Sequence, residues 1–216
     1  MCYIIVKGGN HMRKKIRHYH QSSNKTCGPA CILMLLDYYG IITYPKRAME
    51  WEIYNAYKIE EYPGMNGAAL ARHLTRHGLA VTIYHSAENG LDNEDGYFKE
   101  NEYQALLAAY QEQLDKAKGK VRTIRTQDIS CDFLKEKLKE GFKIILECFV
   151  DGDADGIHEK VLHWVLVYGY EEGTFRVHNS SADQRMMISD EDMEEYMETP
   201  IGRMAVVVGK AGEVNI

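Results

Sequence analysis

Gln21-Ser22-Ser23-Asn24-Lys25-Thr26-Cys27-Gly28-Pro29-Ala30-Cys31-Ile32-Leu33-Met34-Leu35-Leu36 is the stretch on which the reading of this chain turns. Its first half is polar and rich in turn formers, so it reads as an extended lead-in. Its second half reads as a helix. Pro29 suits a first helical turn, where a missing N–H costs nothing, and Gly40 suits the stop. The helix is apolar almost all round, which predicts burial. Cys27 stands where the lead-in enters that helix. A thiol there feels the positive end of the helix dipole, which favours thiolate, the reactive form of cysteine. A cysteine ahead of a helix is more often a buried apolar residue, and Cys31, one turn on, is expected to be that bland case.

Outward from this stretch, helices come early and strands come late. Helices are expected over about 46–58, from Gly67 to near Gly78, over 101–118 and over 132–140. Leu79 to Tyr84 reads as an early strand and 121–126 as a short one. Ile144-Ile145-Leu146-Glu147-Cys148-Phe149-Val150, Val161 to Tyr170, Phe175-Arg176-Val177 and Met204 to Val208 read as strands, with an acidic helix over about 190–198. That order predicts an α+β fold, with N-terminal helices packed on a C-terminal antiparallel sheet.

The chain has 216 residues, enough for one domain with a sizeable core at 45% hydrophobic content. The net charge of −6 argues against a nucleic-acid partner, which would need a basic face. It points instead to neutral or locally basic substrates. Five cysteines at irregular spacing do not form a secreted disulfide framework, so reduced thiols in a cytoplasmic protein are expected. No apolar run has the roughly 18 residues of a membrane span. Residues 1–11 read as a non-native or disordered leader, with 12–216 as the single domain. Lys7-Gly8-Gly9 is compatible with a purine-rich ribosome-binding stretch ahead of Met12. Protein from the native host that begins at Met1 would remove this expectation.

Three further residues complete a candidate site. His163, at the start of the apolar run Trp164-Val165-Leu166-Val167, has the rigid mount that a general base needs. Asn179 lies just past the next strand, where a hairpin would bring it beside His163 to fix the imidazole tautomer, and Asp183 competes for that role. Gln21 could donate its side-chain amide to a developing oxyanion, with the Cys27 N–H as second donor. The ordinary alternatives are a core histidine, a turn asparagine and a solvated glutamine.

Gln21 and Cys27-Gly28-Pro29-Ala30, Met65-Asn66-Gly67 leading a helix, and His163-Trp164-Val165 together resemble the papain-clan cysteine peptidases of family thirty-nine. These are the bacteriocin-processing, double-glycine peptidases and their stand-alone relatives, and the resemblance spans about 16–208. It implies a papain-like fold and thiol-dependent cleavage of an amide bond. By position Cys27 would be the nucleophile, His163 the base, Asn179 the orienter and Gln21 the oxyanion donor. Relatives commonly carry Asp-Pro where this chain has Asn179-Ser180. The partner implied is a peptide or protein substrate, with no cofactor, metal, nucleic acid or membrane.

Two other functions share these residues. An acyl or peptidyl transferase differs only in the acceptor of its second step, and a non-catalytic peptide-binding relative would keep the fold alone. The acidic run from Asp151 to Gly156 resembles the start of a calcium loop, but its twelfth position is Leu162 where glutamate is required. It reads as an acidic surface loop before the His163 strand.

Overall fold

The structure, a computed structural model, describes residues 15–154, 157–182 and 185–211. The expected leader and the Met12 start lie outside these, as does Asp183. Helix α1 (Cys27–Tyr38) is buried at every position from Cys27 to Asp37. Ile32, Leu33, Met34, Leu35 and Leu36 are at most 1% exposed. Their transfer from water supplies on the order of 10 kcal/mol of driving force. Truncating one of them, as in Leu35→Ala, should cost about 2–5 kcal/mol. The helix ends where Gly40 takes a φ of +75° and the N–H of Ile41 turns back to Leu36 O at 2.9 Å.

Around α1 lie α2 (Arg47–Tyr57) and α3 (Gly67–Arg76). Asn66 caps α3, its Oδ1 accepting from Ala69 N at 2.8 Å. Then follow β1 (Leu79–His85), α4 (Glu100–Ala117), β2 (Val121–Arg125) and α5 (Cys131–Lys139). The second half is β3 (Lys143–Ala154), β4 (Ile157–Glu171), β5 (Thr174–His178), β6 (Arg185–Ser189), α6 (Asp190–Met197) and β7 (Met204–Lys210). The fold is α+β, as the order of elements predicts. The seven strands run β2-β1-β7-β3-β4-β5-β6.

Three features depart from the sequence reading. The acidic run expected as a loop is strand as far as Ala154, where β3 still pairs with β4. β1 and β2 pair in parallel, while the other pairs are antiparallel. A parallel pair needs a crossover, and α4 is that crossover. The strand β6 was not expected. It is a short edge strand whose Met186 and Ile188 are too few to mark a period, and it forms only by pairing with β5.

The sheet separates two cores. On one face Ile145, Trp164, Leu166 and Val206 pack against α1 and α3. On the other, Ile144, Leu146, Cys148, Val165 and Val167 meet α5 and α6. This alternation along β3 and β4 follows from the period-two geometry of strands.

The lead-in ahead of α1 is stretched between two anchors. On the helical side, Arg17 Nε donates to the buried Asp37 at 2.7 Å. Glu50 of α2 is fully buried and accepts from Tyr19 Oη at 2.8 Å and Ser22 N at 2.7 Å. On the sheet side, His178 Nε2 lies 3.1 Å from Ile16 O and Gln21 N donates to Ser180 O at 2.9 Å. The lead-in therefore passes the end of β5 just before it enters α1.

Candidate active site

The mouth of α1 is open toward its first residue. The N-cap Thr26 makes no side-chain capping bond, and no acidic residue stands in the first turn. Its hydroxyl instead bonds Ser23 O at 2.9 Å. The orphan N–H groups of the helix end are thus left for another acceptor. Cys27, 7% exposed, stands at that opening, where His163 and the backbone N–H groups of Trp164 and Gly28 favour its ionised form. Burial by itself would push the Cys27 thiol up. The nearby His163 and the N–H groups outweigh it, and the net direction is down.

His163 sits on β4 opposite Cys148 of β3 and is 6% exposed. Its Nε2 lies 2.8 Å from Asn179 Oδ1. The same oxygen accepts from Ser181 N at 3.0 Å and Ser181 Oγ at 2.7 Å. A backbone N–H can only donate, so this bond identifies the acceptor end of the amide and makes His163 Nε2 the donor. Nδ1 is then the nitrogen left for the sulfur. Burial lowers the His163 pKa, but Cys27 and Asn179 outweigh it and the net direction is up. A lowered thiol beside a raised imidazole is the pair of directions that favours a thiolate next to an imidazolium.

Gln21 is buried and held at both ends of its amide. Ser180 Oγ donates to Oε1 at 2.6 Å, and Nε2 donates to Ser23 O at 2.8 Å. One of its two N–H bonds is therefore used inside the lead-in turn, and one is left. Ser180 follows Asn179 directly, so one short turn holds both the histidine's partner and the glutamine.

Sequence reasoning did not single out the backbone N–H of Trp164 or the brace of Ser181. Trp164 is fixed from two sides: its indole Nε1 donates to Met65 O at 2.8 Å, and its carbonyl takes the Cys31 thiol at 3.5 Å. The apolar run after His163 and the turn before α3 were visible in sequence, but not that one locks the other. Gly28 serves packing as well. A Cβ there would stand 2.9 Å from Leu70 Cδ2 and 3.5 Å from Trp164 Cδ1. The glycine lets α1 approach α3 and Trp164, in addition to clearing the sulfur.

A family model described as the Peptidase_C39 like family matches residues 16–206. This chain belongs to that family. A search of curated proteins found no match. Among solved structures, a protein of Bacillus anthracis described as a C39-like peptidase is 12% identical, with a TM-score of 0.46, over 91% of this chain and 96% of that one. Membership in the Peptidase_C39 like family agrees with the motifs at Cys27 and His163 and makes this a peptidase-like chain.

Within this peptidase-like fold only one described cysteine is suited to attack. Burial pushes Cys31 well up. It also pushes up Cys148, where Glu147 adds to the effect. The Cys131 thiol is pushed up to about 12 by burial and by Glu194. Among the described residues, no cluster of histidine, cysteine, aspartate and glutamate has the arrangement of a metal site. No described helix is long and apolar enough to cross a membrane.

Proposed function

We propose that this protein is a thiol-dependent hydrolase that cleaves a peptide or amide bond through an acyl-enzyme on Cys27. The observation that carries the reading is the Cys27–His163–Asn179 chain, with the thiol drawn down and the imidazole raised at the open end of a buried helix. The Cys27 thiolate attacks the substrate carbonyl, and a C–S bond forms as the carbonyl oxygen takes the negative charge. The remaining N–H of Gln21 and the N–H of Cys27 are the donors assigned to that oxygen. His163 Nδ1–H then gives its proton to the leaving amine. Water, deprotonated by the now neutral His163, releases the acid and regenerates the thiol. Asn179 keeps the ring in the required tautomer throughout.

The test is intact-mass detection of a covalent adduct with a panel of peptidyl electrophiles, followed by peptide mapping. The expected result is one adduct per chain, on Cys27, lost in Cys27→Ala. Labelling spread over several cysteines at equal rates would end the hydrolase reading.

A further inference from the structure

One buried ionisable group near the site takes no part in these steps. Glu147 is 6% exposed, and its Oε2 is buried with no hydrogen-bond partner. An unpaired buried carboxyl oxygen is costly, so such atoms are rare without a purpose. Glu147 stands directly opposite Trp164 across the β3–β4 pair. Directly opposed residues share a face of the sheet. That face is the one Trp164 shares with Cys27, and the Trp164 N–H helps to draw the Cys27 thiol down. Glu147 is therefore one strand away from the sulfur, on the same side.

Its surroundings are aromatic. Phe149, two residues along the same face, meets Tyr97 with ring centroids 5.7 Å apart. Tyr97 and Tyr62 both pack on Phe98, at 5.0 and 5.5 Å. Burial opposes ionisation of Tyr62, and Glu147, Cys27 and Tyr97 add to it through their charge. Tyr97 is 39% exposed, so this aromatic wall reaches solvent. The titratable groups that interact with Glu147 are Cys27 of α1, Tyr62 from the loop after α2 and Tyr110 of α4, with Cys148 next to it in sequence on the other face of the sheet. None of them is a cation.

We propose that Glu147 is the specificity residue of a substrate subsite that takes a basic side chain, arginine above all, next to the bond under attack. This rests on the reading of Cys27 as nucleophile and names the class of peptide it serves. A guanidinium supplies the missing counter-charge, donates to Oε2, and stacks between tyrosine rings better than an ammonium does. Burial, with Cys27 adding to it, raises the Glu147 carboxyl to about 8. The empty subsite accordingly holds a neutral acid near pH 7. An entering cation drives its proton into solvent.

The experiment uses the Cys27→Ala protein and blocked hexapeptides of glycine and alanine, carrying one arginine or its neutral isostere citrulline at each position in turn. Calorimetry should find one position where arginine binds at least about tenfold tighter than citrulline, with about one proton released at pH 7. Glu147→Gln in the same background should bring that ratio to about one and abolish proton release. Glu147→Leu, which removes the polar group altogether, should do the same and serves if the glutamine variant folds poorly. Absence of any position that discriminates, absence of binding, or a ratio that survives in the variants would overturn the proposal. Arginine binding through Glu147 without any Cys27 adduct in the unsubstituted protein keeps the subsite and ends the hydrolase reading. An adduct that forms regardless of charge and of Glu147 does the reverse.

Discussion

Cys27 and Cys31 lie one helical turn apart on α1, and both are buried. Their thiols move in opposite directions, Cys27 down and Cys31 up. His163 and His178, on neighbouring strands, repeat the contrast: His163 is raised, and His178 is lowered to about 4. Burial is common to all four, so burial cannot be the deciding factor. What differs is the company. Cys27 has N–H donors and an imidazole, whereas the Cys31 thiol meets only the Trp164 carbonyl and other thiols. His163 faces a sulfur that becomes negative. His178 has one carbonyl acceptor, a buried Nδ1 with no hydrogen-bond partner, and His18 and Arg185 close enough to oppose its charge. The direction in which each group is pushed comes from its donors and charged neighbours and not from the apolar setting.

The strongest way to break the contrast is to remove each thiol. Cys27→Ala should lower turnover of any cleaved peptide by at least about 10³-fold. Cys31→Ala should leave the rate within a few-fold, and steady-state kinetics on the pair would reverse the assignment if Cys31 proved the costlier loss. Next in size is the loss of the imidazole. His163→Ala removes the main influence drawing the Cys27 thiol down, so alkylation by iodoacetamide at pH 6 should slow by about 10²-fold. The slower-reacting Cys131 and Cys148 should be unaffected, which peptide mapping of the labelled protein would report.

The His178 contrast sharpens through pH. A histidine whose folded pKa is depressed resists protonation that the unfolded chain accepts. Its penalty is absent well above pH 6.5 and grows as pH falls toward about 4. Between pH 7 and 4.5 the protein should lose about 2 kcal/mol from this group, read by urea unfolding, and His178→Gln should flatten that slope. Glu147 has the opposite sign. Its folded pKa is raised, so stability falls as pH rises from about 4.5 to about 8, and the stability gain from Glu147→Gln should be larger at pH 8.5 than at pH 5. The smallest effect belongs to the orienting residue. Asn179→Ala should lower the rate by about tenfold, chiefly in kcat, because Ser181 and the strand still hold the neighbourhood in place. An unchanged kcat would remove the orienting role.

Much of this was legible in the residues themselves. The polar lead-in, the apolar helix after Cys27 and the late strands follow from local composition and period, and the helix ends lie within a few residues of their Gly, Pro and Asn signals. The family motifs at Cys27, Met65-Asn66-Gly67 and His163 were equally visible, and the family match bears the resemblance out. β6 was not visible, since a short edge strand depends on its neighbour. The parallel β1–β2 pair was not visible either, because pairing direction depends on where α4 returns the chain.

The sequence by itself determined the helices and every strand but β6, and which thiol stands at a helix mouth, because these depend on residues within a turn or two. Tertiary structure alone decided who meets whom. It set the Ser180–Gln21 bond across 159 positions and the Cys31–Trp164 contact across 133, and it put the Glu147 carboxyl on the face of the sheet that packs against Cys27. Those meetings depend on strand register and on how α1 packs past the end of β5. A single-residue slip in strand register would turn every side chain of that strand to the opposite face.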